Sequence, residues 1–128
     1  MRAWSAHDLK SVDVTDEVQV SSTRPDGSQR PAVTIWAVHA GNDVYIRSAY
    51  GPDNGWFRRA LAAGAGRFSD AGREYAVSYD IVEPTDENVH AALDAAYHAK
   101  YDRYGPRIVG SVVGPAARQA TLRVEPRA

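Results

Sequence analysis

Arg47 and Ser48 end a predicted strand, and Arg58 and Arg59 stand side by side near the start of the helix that follows, all within residues 43–61, DVYIRSAYGPDNGWFRRAL. Between the two pairs lie Gly51 and Gly55, which lack a Cβ and let backbone approach a ligand closely. The first turn of a helix carries N–H groups without intrahelical partners, and these and the helix dipole favour an anion. Two cations placed there oppose the dipole. Their position makes sense if a phosphate rests on the same corner, because guanidinium forks bind phosphate in a bidentate way. Asp53 supplies the competing reading: it caps the helix, neutralises its own arginines, and leaves Arg58 and Arg59 as an ordinary solvated face.

Proton-transfer candidates are His39, Tyr45 and Tyr50. The two phenols flank the corner and can donate to a phosphate or a substrate. His39 lies on a strand, where it is either a proton donor in a pocket or a satisfied structural imidazole. His90, Asp94 and His98 fall at i, i+4 and i+8 of one helix; polar surface is the simpler reading, and no metal site is expected. GxSxG, HExxH and Walker-type motifs are missing from the sequence, which argues against the hydrolase and nucleotidase chemistries they serve.

Several elements must position these residues. Ser5 and Asp8 form a capping signal, with Trp4 and Leu9 at the staple positions, so a short helix is expected within residues 1–10 as a lid on one end of a barrel. Strands are expected at 13–21, 32–40 and 44–49, with a turn at Arg24-Pro25-Asp26-Gly27. A helix over 53–63, with Asp53 or Asn54 as its cap, stops at Gly64. A hairpin follows at 67–69 and 74–82, then a long helix capped by Thr85 and ended by Gly105-Pro106. Two last strands are expected at 108–113 and 120–124. Along 44–48, Val44, Ile46 and Ser48 share one face and Tyr45 and Arg47 the other. The Arg47 face belongs outside the barrel or at a groove, because an unpaired buried guanidinium is costly. The fold class is therefore α+β, mainly β: a six- to seven-stranded split barrel with two main helices.

The chain has 128 residues, 44% hydrophobic and 24% charged, with a formal net charge of -1. This suits one domain spanning 1–128. Near-neutrality argues against bulk attraction to nucleic acid or to an anionic membrane, so an anion site must come from local clustering. With no cysteine, disulfides, thiolate metal sites and a cysteine nucleophile are excluded. No apolar run has the length of a signal peptide or of the ~20-residue membrane span, and a cytoplasmic location is expected.

The runs RPAVTIWAV, VYIRSAYGPDNGWFRRAL, AAYHAKYDRYGP and ATLRVEP resemble the split-barrel flavoprotein superfamily, most of all its small bacterial branch described only as domains of unknown function. More distantly they resemble the deazaflavin-dependent nitroreductase-like group. Ser48, Gly51 and Trp56 match its strand–glycine–tryptophan pattern, Tyr97, Tyr101 and Tyr104 its tyrosine-rich helix, and Asp26-Gly27-Ser28-Gln29-Arg30 loosely echoes its basic phosphate loop. The resemblance implies a homodimer binding FMN or a deazaflavin coenzyme and acting on a small conjugated molecule. It carries Arg47, Ser48, Arg58 and Arg59 to the phosphate side and Thr34 and Trp36 to the ring or substrate side, with Gly51 and Trp56 as further cofactor-binding residues and the substrate entering beside Trp36 and Trp56. Tyr97, Tyr101 and Tyr104 either stack on a ring, line a dimer contact, or cap the barrel by packing, the last being preferred. Split barrels also serve without flavin, so the alternative is a cofactor-free protein that binds or transforms a small apolar or aromatic ligand.

Overall fold

A computed structural model describes residues 3–49 and 51–127. Tyr50 lies outside the described residues. The capping signal at the N-terminus forms as read: the Ser5 hydroxyl accepts from the Asp8 N–H and the Asp8 carboxylate accepts from the Ser5 N–H, both at 3.0 Å. The helix α1 spans Ala6–Val14, four residues beyond the expected end. It therefore takes Asp13 out of the expected strand, and β1 begins only at Val18 (Val18–Ser22). Trp4, Leu9 and Val12 are buried in the barrel core, and the Trp4 indole donates to the Val124 carbonyl at 2.8 Å. The N-terminal segment is thus pinned to the last strand of the chain.

The expected strand at 32–40 is two strands, β2 (Val33–Ile35) and β3 (Ala37–Ala40), interrupted at Trp36. After β4 (Asp43–Arg47) come α2 (Gly55–Ala63), β5 (Ala65–Asp70), β6 (Arg73–Ile81), α3 (Glu87–Tyr101) and β7 (Thr121–Pro126). The strands form one antiparallel sheet in the order β2-β1-β5-β6-β7-β4-β3. Its two outermost strands are consecutive pieces of chain joined by a single residue. The sheet must therefore curl until its edges meet, which makes a nearly closed barrel with its seam at Trp36.

Strand alternation sorts the side chains into two cores. Val18, Val20, Val44, Ile46, Phe68, Val77, Leu122 and Val124 fill one with Trp4 and Phe57. Val38 and Tyr45 face outward into a second core, where they pack with Leu93, Tyr97, Tyr101, Val109 and Val112. The long helix α3 therefore covers the face that carries Arg47.

Two expectations at the C-terminal end are corrected. Asp86, not Thr85, caps α3, its carboxylate accepting from the Val89 N–H at 3.5 Å. Residues 108–113 form no strand. Gly105, at a positive φ of 100°, turns the chain and Pro106 opens a short helix, α4 (Pro106–Val109); the rest of the segment is turn and bend. Val109 and Val112, three apart, are the buried pair there, a helical spacing rather than the period of two that a strand requires. A further short helix, α5 (Pro115–Arg118), leads into β7.

Candidate functional site

Two hollows flank the start of α2. Phe57 and Ala60 anchor that helix in the barrel core, which sets Arg58 and Arg59 outward. These two arginines line a groove of about 1020 Å³, and Arg24 and Arg30 from the loop after β1 line its other side. Among the described residues no carboxylate is in the lining. Arg24 is held in place, its guanidinium donating to the Gln29 carbonyl at 3.1 Å. Among the described residues Arg30, Arg58 and Arg59 have no ion-pair partner. Four like charges thus share one wall-to-wall space on a chain whose net charge is -1.

The first turn of α2 sharpens this imbalance. Asn54 holds the N-cap position but its side chain makes no capping bond, and no acid occupies the first turn. Asp53 is exposed and does not cap. A Cβ on Gly55 would come within 2.8 Å of the Arg59 guanidinium, so that cation lies folded back against the helix's own positive end. Charge and dipole repel there unless an anion sits between them.

The second hollow is a cleft of about 360 Å³, lined by Trp36, Thr34, Trp56, Asn54, Ile108 and Glu17 among others. Trp36, at the barrel seam, stacks flat on Tyr101 with ring centroids 3.9 Å apart and planes 3° apart. The Tyr101 hydroxyl donates to the Asp16 carbonyl at 2.6 Å, which fixes the stack from behind. Trp56 meets Phe57 edge-on. A narrow gap between groove and cleft is lined by Arg30 and Arg59, which also line the groove, and by Val33 and Trp56, which also line the cleft. The aromatic cleft and the cationic groove are therefore neighbours across one thin wall.

Arg47 reaches the cleft's lining, yet its donors are spent inside the chain. Nη1 donates to Asp94 at 2.5 Å and to the Val112 carbonyl at 2.9 Å, and Nε to the Thr121 hydroxyl at 3.0 Å. Nη2 meets His90 Nδ1 at 3.0 Å. Since His90 Nε2 lies 2.8 Å from the Glu83 carbonyl and must donate to it, Nδ1 is the acceptor for Arg47. Asp94 also accepts from Arg118 at 2.9 Å. Burial alone would raise the Asp94 carboxyl; the bonds from Arg47 and Arg118 outweigh it and hold the group below the usual carboxylate range. The arginine faces out of the barrel, as the alternation implies, and α3 closes over it.

The remaining expected site residues are dispersed. The Ser48 side chain is fully buried with no hydrogen-bond partner among the described residues. Gly51 takes φ 79° and packs 3.8 Å from Ala116 where a Cβ would stand. His39 Nδ1 pairs with Asp13 at 2.6 Å. Tyr45 is buried under α3, and burial raises its phenol. The helix ladder does not assemble: His90 binds Arg47, Asp94 binds two arginines, and His98 pairs with Asp102. Among the described residues no group of three potential ligands could hold a metal. Arg24, Glu17 and Ile108 join the two hollows without having been singled out in the sequence, and Asn54 was read there only as a helix cap. Arg24 carried a faint signal there, as the residue opening the turn that leads to Arg30.

Several solved structures share this fold. The conserved hypothetical protein Rv2991 from Mycobacterium tuberculosis aligns with TM-score 0.68 at 13% identity, over 100% of this chain and 83% of that one. An F420 reductase aligns with TM-score 0.56 at 17% identity, over 93% and 92%. An FAD-binding protein from Mesorhizobium loti aligns with TM-score 0.54 at 17% identity, over 99% and 93%. No curated protein matches the sequence. Residues 8–124 match the family described as uncharacterized protein conserved in bacteria (DUF2255), and the chain belongs to that family.

Proposed function

We propose that this protein holds a phosphate-bearing flavin or deazaflavin coenzyme, its ring beside Trp36 and Trp56 and its phosphate against Arg58 and Arg59, and serves as an oxidoreductase for a small conjugated molecule. The observation that carries this reading is the four-arginine groove, without a carboxylate in its lining among the described residues, adjoining an aromatic cleft. The names of two fold neighbours, an F420 reductase and an FAD-binding protein, favour the same ligand class. Bound there, the coenzyme would supply hydride transfer. The chain's own part is to fix the ring by the Trp36–Tyr101 stack, to neutralise the tail through the groove arginines, and to shield the ring from water with the cleft's aromatic and aliphatic side chains. Arg30 and Arg24 join Arg58 and Arg59 as tail ligands, while Thr34 and Asn54 supply hydrogen bonds at the ring. A homodimer belongs to the same reading, and sedimentation velocity measures it.

Titration of the purified protein with FMN and with a deazaflavin coenzyme, followed by tryptophan quenching and by melting temperature, tests the proposal. Saturable quenching and an upward shift are expected. Replacing Arg58 and Arg59 together by Ala weakens binding roughly ten- to a hundredfold, since charge-assisted bonds are worth about 1.5–3 kcal/mol each and exposure discounts them. A protein that answers to neither coenzyme overturns it. The cofactor-free alternative relied on His39, Tyr45 and Tyr50 as pocket groups; neither His39 nor Tyr45 lines the aromatic cleft, and Tyr50 lies outside the described residues.

A further inference from the structure

A separate cleft of about 420 Å³ opens between α1, β3 and the end of α3, lined by Asp13, Val38, His39, Ala96, Lys100 and Arg103, with Ala99 as a further small wall residue. It shares no lining residue with the groove or the aromatic cleft. Thirteen of the fifteen basic side chains are arginines, and the two lysines are Lys10 and Lys100. Lys100 is half-buried, and its ammonium donates to the Val12 carbonyl at 2.5 Å and the Ala37 carbonyl at 2.6 Å. Its third N–H has no acceptor among the described residues. In the same cleft, Asp13 holds His39 through Nδ1 at 2.6 Å, which leaves Nε2 without a partner among the described residues. An amine and a carboxylate-oriented imidazole in one small-walled cavity form the pair that carbonyl condensation requires.

We propose that Lys100 is an imine-forming amine for small aldehydes, with His39 carrying protons between the amine and the carbonyl oxygen. The neutral amine attacks the carbonyl carbon, a C–N bond forms, and the C=O π pair moves to oxygen. The nitrogen gives up both its protons, the oxygen leaves as water carrying them, and a C=N bond remains; no oxidant or reductant is needed. Several surrounding groups set the supply of neutral amine. Burial lowers the Lys100 ammonium to about 8, against the opposing pull of Asp13, Asp16 and Asp70 and with a small assist from Arg103. His39 lines the same cleft, and the ammonium lies over the Tyr101 ring. An arginine could not serve, since its guanidinium keeps its proton at any physiological pH.

The exposed Lys10 is an internal reference. Folded wild-type protein is treated with acetaldehyde and sodium cyanoborohydride at pH 7 and mapped by peptide mass spectrometry. Lys100 is expected to be labelled about tenfold faster than Lys10, following the larger fraction of neutral amine. His39→Gln is expected to slow labelling of Lys100 about fivefold, leaving Lys10 and the melting temperature unchanged. Equal or slower labelling of Lys100 in the wild type overturns the proposal and makes the residue a staple between α1 and β3 only. Unchanged Lys100 labelling in the His39 variant overturns the proton-carrying part.

Discussion

Gly55 is the smallest residue with a large consequence. A Cβ there would press on the far end of the Arg59 side chain rather than on backbone, so Gly55→Ala should fold normally and move only the guanidinium. Alanine also favours helix over glycine by up to about 1 kcal/mol. The expected outcome is an unchanged or slightly higher melting temperature together with about tenfold weaker coenzyme binding. That combination separates a ligand role for Arg59 from a structural one. Arg47 should behave in the opposite way. Its side chain is fully buried while its partner Asp94 is one-fifth exposed. Asp94→Ala strands that guanidinium with only neutral acceptors, and urea denaturation should show a loss of roughly 3–5 kcal/mol. Ligand affinity at the groove should stay within about twofold, because no charge there is touched.

The pairing of β1 with β5 sets how tightly the barrel curls. Gly66 faces Ser22 across that pair, and a Cβ on it would stand 1.8 Å from the Ser21 carbonyl oxygen. The same carbonyl accepts from the buried Tyr79 hydroxyl at 2.7 Å. Backbone cannot yield there as a flexible side chain does. Gly66→Ala should therefore cost about 3 kcal/mol or more, read as a lower urea midpoint, whereas Gly55→Ala costs nothing. The α1 cap is a milder test: Ser5→Ala removes half of a capping box and should cost about 1 kcal/mol.

Across the whole molecule, the ionisable groups that folding perturbs most are one amine and several phenols. Lys100 titrates near 8 when folded, below its ordinary value. Between that point and the unfolded pKa the unfolded chain binds the extra proton, so stability rises as the solution is made alkaline. The phenols act with the reverse sign. Burial pushes Tyr79, Tyr97 and Tyr101 far above the usual tyrosine range. Unfolded tyrosines ionise first, and stability falls above about pH 10. Thermal melts should thus climb from pH 7.5 to a maximum near pH 9–10 and then drop. Lys100→Met should flatten the rise and leave the alkaline fall intact. At the acidic end Asp94 lies below the usual carboxylate value, so its contribution persists above about pH 4 and disappears below that as the carboxyl protonates.

The local pattern was enough for β4, β5, β6 and β7, the two main helices and the strand-to-helix corner at α2. The hairpins, the Ser5 cap and the glycine stop at Gly64 depend on neighbours a few residues apart, and a sequence displays such neighbours directly. The outward face of Arg47 was legible for the same reason, since alternation along a strand is local. What covers that face was not: α3 lies about fifty residues further on, and its Asp94 and His90 claim the guanidinium. The 108–113 run shows the limit from the other side. Its β-branched residues suggest a strand, yet the folded chain leaves no sheet edge there for it to pair with and buries Val109 and Val112 at helical spacing instead. Arg24 and Arg30 meet Arg58 and Arg59 only because the sheet closes and brings the loop after β1 beside α2. The residue types of the charged groove were written in the chain; their convergence, and the loss of Arg47 from it, followed from closure of the barrel, because long-range packing decides which charges find a partner and which are left without one.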